Sequence, residues 1–177
     1  MTPGRLPGDP ATVSRMVRVD HAGEYGAARI YAGQLAVLGR GAQGPLLRHM
    51  AGQEQRHLET FNTMVGERRV RPSALLPLWH LAGFALGAVT AALGQRAAMA
   101  CTVAVEEAID AHYTRQIDAL PESETGLRAT LTAFRAEERE HRDSALANGA
   151  ERAPGYRLLI GAIKAGCRVA IAVSERI

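Results

Sequence analysis

The amino-acid sequence predicts an all-α protein, a four-helix bundle with two additional helices. Apolar residues recur at helical spacing in six stretches, and no stretch shows the alternation of a half-buried strand. Breaks rich in glycine and proline separate the stretches, and 177 residues fit one domain. We therefore expect one domain over residues 11–177. A loose lead-in over residues 1–10, with three prolines and two glycines, would precede it.

Composition argues against several classes of function. Net charge is only +3 and aromatic residues make up 5% of the chain, so no base-stacking platform is expected and no nucleic-acid partner. A mildly basic chain suits an anionic lipid surface at least as well as nucleic acid. Cys101 and Cys167 lie in apolar stretches without a Cys-x-x-Cys motif, which indicates reduced core residues. The first residues lack the apolar segment of a secretory signal, so we expect a protein that is not secreted.

Four of the predicted helices form two matching halves. They are expected at about residues 12–38, 45–65, 96–120 and 124–147. Thr12 or Ser14 would cap the first helix, and Asn148-Gly149 would end the fourth. The halves, at about 12–66 and 96–148, are pseudo-repeats of one helix pair.

The two additional helices are predicted to associate with a membrane. Residues 72–95 carry no charge, but Pro77 limits the usable helix to about 78–93, roughly 24 Å long. A bilayer core is about 30 Å thick. We therefore favour a helix partly immersed in one leaflet over a spanning helix or a core helix. The last helix, about 155–175, carries Arg157, Lys164 and Arg168 on one stripe, as in helices lying on a membrane surface. A terminal helix that completes the core is the alternative.

Polar residues interrupt the apolar stripes at matching places in the two halves. Glu54-x-x-His57 and Glu138-x-x-His141 each put a carboxylate and an imidazole on one helix face. Glu24 and Glu106 stand 30 and 32 residues before these motifs. Four carboxylates and two imidazoles would therefore meet in one interior. Carboxylates and imidazoles without thiolates favour iron or manganese over structural zinc, and this ligand set is the one found in ferritin-like di-metal bundles.

Other polar residues near the six ligands have weaker assignments. Tyr31 and Tyr113 each follow a ligand glutamate by seven residues, so we expect each tyrosine to stack over that glutamate on the same helix. Both tyrosines, with His112, are candidates for proton or redox roles. Asp20 and Asp110 are candidates to orient a ligand histidine. The residues expected to face solvent or to serve as ordinary surface or core residues are Glu107, Glu137, Glu140, His21, His49 and His80. No nucleotide-binding loop is visible, so no cofactor beyond the metals is expected.

Several longer runs resemble one known family. They are DHAGEYGA (20–27), RIYAGQLAVLGR (29–40), RVRPSALLPLW (69–79), GFALGA (83–88), AMACTVAVEEAI (98–109) and AGCRVAIAVSER (165–176). They resemble the Coq7 family, the demethoxyubiquinone hydroxylases of ubiquinone biosynthesis. The resemblance runs from about Arg15 to the end of the chain. It implies a ferritin-like bundle with two iron ions, ferrous in the reduced state. The family's ligands fall on Glu24, Glu54, His57, Glu106, Glu138 and His141.

The resemblance also implies an activity and a location. The reaction would be an O2-dependent ring hydroxylation of a polyprenylated methoxy-methyl-benzoquinol, with NADH or another reductant as electron source. The family attaches peripherally to membranes. Because no targeting extension precedes the matching region, we expect a bacterial form at the cytoplasmic face of the cell membrane.

Two other classes of function are compatible with the residues. One is another ferritin-like di-iron oxidase or an iron-handling protein, which would not need the apolar 78–93 stretch. The other is a non-enzymatic lipid-binding bundle whose metal is structural. Tail length, electron donor, homo-oligomer formation and lipid-presenting partners are left open by the sequence.

Overall fold

Six α-helices form the fold over residues 10–177, the part of the chain that our computed structural model describes. Most of the predicted lead-in, residues 1–9, lies outside this range. The helices are α1 (Pro10–Leu38), α2 (Gly44–Glu67), α3 (Leu76–Ala92), α4 (Gln95–Ala119), α5 (Thr125–Ala147) and α6 (Tyr156–Ser174), with a short 3-10 helix at Ala150–Arg152. Within residues 10–177 there is no strand, so the all-α prediction is confirmed.

The helix ends follow from local chemistry. Pro45 and Pro77 stand in the first turns of α2 and α3, where a missing backbone N–H leaves no helical bond unmade. Gly149, after α5, adopts φ +84°, a left-handed conformation that favours glycine. The prediction that Thr12 or Ser14 caps α1 is wrong, because the helix already begins at Pro10.

Helices α1, α2, α4 and α5 form the ferritin-like bundle, with α1 packed on α2 and α4 packed on α5. Five-residue connections (39–43 and 120–124) join each pair, as in antiparallel neighbours. Two apolar clusters fill the bundle interior. One includes Leu47, Met50, Met99, Val103 and Ala145, and the other includes Val17, Phe61, Leu127 and Leu131. On every bundle helix, the predicted ligands lie in sequence between the two clusters.

Helix α3 packs against α1 at unusually short range, because glycines face the contact. A Cβ added at Gly87 would lie 1.9 Å from the Ile30 carbonyl oxygen, and one at Gly33 would lie 2.2 Å from that of Phe84. Only glycine lets the two backbones approach this closely. The glycines of α3 therefore serve helix packing, a role that the sequence analysis did not assign to them.

Helix α6 packs against α4, and its charged stripe is only partly directed outward. Lys164 forms an ion pair with Glu107 of α4, and both side chains are only partly exposed (32% and 33%), so neither faces solvent alone. Arg157 and Arg168 are exposed. Both outer helices also expose large apolar side chains, among them Leu81 (70%) and Val89 (58%) on α3 and Leu158 (82%) on α6. None of the helices within residues 10–177 is long and apolar enough to cross a membrane.

Candidate metal centre

The six predicted ligands meet in the middle of the bundle, and each is at most 2% exposed. Glu24 comes from α1, Glu106 from α4, and each Glu-x-x-His pair from α2 or α5. Their ligand atoms form two overlapping groups, each close enough to hold one metal ion. The groups are Glu24, Glu54, His57 and Glu138, and Glu54, Glu106, Glu138 and His141. Glu54 and Glu138 belong to both groups, so their carboxylates are common to the two candidate metal positions.

Both histidines turn the same ring nitrogen toward this cluster. His57 Nδ1 lies 3.2 Å from Glu138 Oε1 and 3.4 Å from Glu24 Oε2. His141 Nδ1 lies 3.1 Å from Glu54 Oε1 and 3.4 Å from Glu138 Oε2. The Nε2 atoms point away from the cluster, toward other side chains.

Many atoms at the centre are buried without a hydrogen-bond partner. They are Nδ1 of both histidines, both carboxylate oxygens of Glu54 and Glu138, and one oxygen each of Glu24 and Glu106. Unpaired buried polar atoms are strongly unfavourable, and their convergence on one point needs a compensating group. Divalent cations supply that compensation, so the residues fit the metals that the sequence analysis predicted.

Charge balance supports the same interpretation. Burial raises the pKa of the Glu24 and Glu54 carboxyls, and raises that of Glu106 to about 8. Burial also disfavours the charged form of Glu138, but the adjacent imidazoles of His141 and His57 outweigh it and lower the pKa of Glu138 to about 2. Without metal, therefore, protons must be shared among the acids and imidazoles.

The imidazoles carry part of that positive charge. Burial alone would lower the pKa of His57, yet the adjacent carboxylates of Glu138 and Glu24 raise it to about 11. In the same way, Glu106, Glu138 and Glu54 outweigh burial and raise the pKa of His141 to about 12. Divalent cations at the centre would take the place of these protons.

Each tyrosine bonds to the glutamate of the opposite half. Tyr31 Oη donates to Glu106 Oε1 at 2.6 Å, and Tyr113 Oη donates to Glu24 Oε1. The expected stacking over the glutamate seven residues earlier is therefore wrong. Seven residues span about 10 Å along one helix, beyond hydrogen-bond reach. Burial and nearby carboxylates raise the pKa of both tyrosines well above 10, so both remain donors.

The two candidate orienting aspartates bind other partners. Asp20 is buried and lies 3.1 Å from Nε2 of His112, so it orients a histidine outside the ligand set. Asp110 Oδ1 accepts from Nε of Arg135 and Arg139, both at 2.8 Å, and its predicted role toward a histidine is wrong. His112 lies beside Tyr113, with ring centroids 6.2 Å apart.

Two residues that the sequence analysis missed contact the ligand histidines. Glu137 Oε2 lies 3.2 Å from His57 Nε2, so Glu137, which was predicted to face solvent, does so only in part. Gln53 Oε1 lies 3.0 Å from His141 Nε2. Both residues immediately precede a ligand glutamate and stand four residues before a ligand histidine. This shared position is the feature of the sequence from which their contacts with the ligand histidines could have been predicted. Glu140 is exposed, as predicted.

An apolar cavity of about 490 Å³ borders the bundle. Helices α1 and α3 line one side of it, and α4 and α6 line the other. Gly23 and Gly26 flank Glu24 in the sequence and lie in the wall of this cavity. A Cβ added at either glycine would meet no atom within 4 Å. These glycines therefore leave open space beside a ligand, and tight helix packing does not explain them.

The fold and the site together define a class: a ferritin-like bundle whose interior could hold two metal ions on carboxylate and imidazole ligands. Residues 11–174 match the family model described as Ubiquinone biosynthesis protein COQ7, and the chain belongs to this family.

Relatives with assigned activities extend over almost the whole chain. The 3-demethoxyubiquinol 3-hydroxylase of Rhodospirillum rubrum is 60% identical and covers 98% of this chain and 84% of its own length. The human NADPH-dependent 3-demethoxyubiquinone 3-hydroxylase, mitochondrial, is 56% identical, with 94% of this chain and 79% of the relative covered. The 5-demethoxyubiquinone hydroxylase of Saccharomyces cerevisiae is 43% identical, with 94% and 79% covered.

Proposed function

We propose that this chain is a di-iron monooxygenase that hydroxylates the ring of a demethoxyubiquinol, a polyprenylated methoxy-methyl-benzoquinol. The observation that carries the proposal is the position of the buried ligand cluster beside a large apolar cavity. Gly23 and Gly26 line the cavity on either side of the ligand Glu24. The hydroxylase names of the relatives agree in reaction and in substrate class.

The proposed centre holds two iron ions. Glu24 and His57, Glu106 and His141, and the shared carboxylates of Glu54 and Glu138 are the residues that would hold these ions. Oxygen and nitrogen ligands without thiolate suit iron in an oxygenase. When bound, the iron would supply O2 activation and transfer of one oxygen atom to the ring.

The protein's own residues keep this centre oriented and dry. Tyr31 and Tyr113 each fix one oxygen of a candidate ligand glutamate, so Glu106 and Glu24 are held before any metal binds. The apolar clusters on both sides of the centre exclude water, which protects a reactive site from side reactions.

The cavity is the proposed substrate site. Its walls are almost entirely apolar, and small side chains on α1 and α6, including Ala27, Ala162 and Gly166, leave it open. A benzoquinol ring could approach the centre along Gly23 and Gly26, while the polyprenyl tail extends between α3 and α6. Polar groups on a ligand would find few partners in these walls, which favours a lipid over a sugar or nucleotide.

The reaction needs electrons and protons as well as O2. One oxygen atom enters the new C–O bond and the other leaves as water, which consumes two electrons and two protons. The quinol or a reduced nicotinamide nucleotide would supply the electrons, and the names of the mammalian relatives support the nucleotide. His112 lines a smaller pocket of about 150 Å³ and lies beside Tyr113, which supports a role in proton supply.

We also propose that the protein works as a peripheral membrane protein, at the cytoplasmic face of a bacterial cell membrane. Helices α3 and α6 line the cavity and also expose large apolar side chains, including Leu81, Val89, Leu158 and Val169. Such a surface is typical of proteins that rest on a lipid leaflet. A lipid tail could then pass from the bilayer into the cavity without crossing water.

A turnover experiment with counted iron tests the proposed function. The purified protein is given demethoxyubiquinol analogue, O2 and reduced nicotinamide nucleotide. We expect about two iron ions per chain and a hydroxylated product. Glu138→Ala should lose both, whereas Glu140→Gln, at an exposed position on the same helix, should retain both. Iron oxidation without product would favour an iron-handling protein, and full turnover by Glu138→Ala would refute the ligand assignment.

A further inference from the structure

A single carboxylate oxygen connects the two histidines of the metal centre on the side away from the cluster. Glu137 Oε2 lies 3.2 Å from His57 Nε2 and accepts from Gln53 Nε2 at 2.8 Å. The other end of the same Gln53 amide, Oε1, lies 3.0 Å from His141 Nε2. Glu137 thus contacts one ligand histidine directly and the other through one amide.

The connection crosses between helices in the same way as the tyrosine pairs. Gln53 on α2 contacts the histidine of α5, and Glu137 on α5 contacts the histidine of α2. Both residues occupy the position before a ligand glutamate, so the pseudo-repeat has produced equivalent contacts. The chemistry of the two positions differs, since one is a carboxylate and the other a neutral amide.

The surroundings keep this network in place. Gln53 is 7% exposed, and the Glu137 side chain is 30% exposed. Arg56 Nη2 lies 3.2 Å from Glu137 Oε2 and offsets its charge from the solvent side. Phe134 stacks on the His57 ring, with centroids 3.8 Å apart, and limits its rotation. The side chains around the contact therefore restrict the histidine to one orientation.

We propose that Glu137 and Gln53 are positioning residues that jointly hold both metal-binding histidines and make the two metal positions inequivalent. With Nδ1 turned to the metal, Nε2 carries the proton and donates outward. A carboxylate acceptor makes an imidazole a stronger electron donor than an amide acceptor does. The ion beside His57 therefore receives the more basic ligand, and the ion beside His141 the less basic one.

The inference rests on the proposed metal centre but not on the hydroxylase activity, and ferrous iron alone tests it. Isotopically enriched Fe²⁺ is titrated anaerobically into the metal-free protein, and Mössbauer spectra are recorded at each addition. We expect the wild-type protein to bind two ions in two steps, with two distinct quadrupole doublets. The tighter step belongs to the His57 position.

Two variants separate the contacts. Glu137→Gln removes the charge but keeps the shape. It should weaken the first step by roughly 10- to 100-fold and bring the doublets together. Gln53→Leu should weaken only the second step and leave the first doublet unchanged. Glu140→Gln is the control, and thermal unfolding of each metal-free variant reports any general structural damage.

The outcomes distinguish this inference from the proposed function. Two steps and two doublets that are the same in wild type, Glu137→Gln and Gln53→Leu would overturn the positioning role while leaving the metal centre intact. A wild-type protein that binds no Fe²⁺ would overturn both. Loss of the first Fe²⁺-binding step in Glu137→Gln, with an unfolding temperature like that of the control, would support the positioning role.

Discussion

Two tyrosine hydroxyls donate hydrogen bonds across the bundle and so connect its two halves. Tyr31 on α1 donates to Glu106 on α4, and Tyr113 on α4 donates to Glu24 on α1. In each helix the glutamate precedes the tyrosine, so these crossed bonds require α1 and α4 to run antiparallel. The same contacts hold two ligand carboxylates in place before metal binds.

Replacing Tyr113 by phenylalanine tests this contact. The change leaves a buried oxygen of Glu24 without its donor, so we expect the metal-free protein to lose about 1–3 kcal/mol of unfolding free energy. Urea unfolding measures the loss. Tyr25→Phe, which removes a hydroxyl bonded to half-buried His80 at 2.7 Å, is the matched control and should lose less. If both variants lost the same unfolding free energy, the hydrogen bond to buried Glu24 would contribute no more than the half-buried one to His80.

The sequence was sufficient to predict the six clustered residues but not their partners. Helical periodicity fixes which residues share a face, and the internal repeat identifies the equivalent helices. Hydrogen bonds such as Tyr31 to Glu106, or Gln53 to His141, depend on the register between helices. Periodicity within one helix carries no information about that register, so Asp110 was assigned the wrong partner and Glu137 was assigned none.

One aspartate of α4 forms ion pairs with two arginines of α5 close to the candidate metal centre. Asp110 is 21% exposed and accepts from Arg135 and Arg139. Partial burial favours the neutral acid, but the two arginines outweigh it and hold the pKa of the Asp110 carboxyl below its usual value of 3.8. A carboxyl whose pKa is lowered in the folded state stabilises that state above its unfolded pKa.

This pKa shift predicts a pH dependence for Asp110→Asn. At pH 7 the variant should lose up to about 1 kcal/mol per ion pair removed. The stabilisation is fully present above the unfolded pKa and disappears as pH falls through the lower folded pKa. Unfolding free energies of the wild type and the variant, measured from pH 7 down to pH 3, should therefore converge. Asp118→Asn, at an exposed position on α4, is the control, and a constant difference at all pH values would contradict the assignment.

The glycines of α1 serve two different purposes on two parts of the helix. Gly33 lies against α3 without room for a side chain, whereas Gly26 lies in the cavity wall with open space in front of it. Helix bounds were predicted to within about two residues because proline and glycine mark them. The purpose of each glycine was not predictable, since it depends on the neighbouring helix.

Filling the cavity from α1 should impair substrate binding without removing metal. Gly26→Leu replaces a poor helix former by a good one, so we expect no loss of helix stability. Its side chain would occupy the proposed substrate path, and KM should rise on the order of tenfold, about 1.4 kcal/mol. Steady-state kinetics and iron content are the measurements. Gly52→Leu, at an exposed helical glycine with open space around it, is the control. An unchanged KM in Gly26→Leu would contradict the assignment of this cavity as the substrate site.

The whole molecule combines a polar interior with an apolar exterior on one side. The bundle buries carboxylates and imidazoles, whereas α3 and α6 expose leucines and valines. The apolar cavity lies between these two outer helices and the bundle. In the proposed function, this cavity is the path by which the ring of a lipid substrate would reach the metal centre.

The membrane proposal predicts that exposed leucines of α3 and α6 contribute to vesicle binding. The double variant Leu81→Glu with Leu158→Glu should bind vesicles of phosphatidylglycerol and phosphatidylethanolamine at least about tenfold more weakly. Each leucine gives up about 1.5–3 kcal/mol when it is no longer buried. Vesicle flotation measures the binding. Val37→Glu changes a valine that is 46% exposed outside α3 and α6, and should bind like the wild type. If the wild-type protein does not bind the vesicles, the membrane proposal is wrong.

The central claim is that the six buried ligands hold iron that inserts oxygen from O2 into a quinol ring. The most direct measurement is mass spectrometry of the product formed under isotopically labelled O2 in ordinary water. We predict one labelled oxygen atom in each hydroxylated ring from the iron-loaded protein, and none from the metal-free protein or from Glu54→Ala. An unlabelled hydroxyl group, or labelled product formed equally well without iron, would contradict the account.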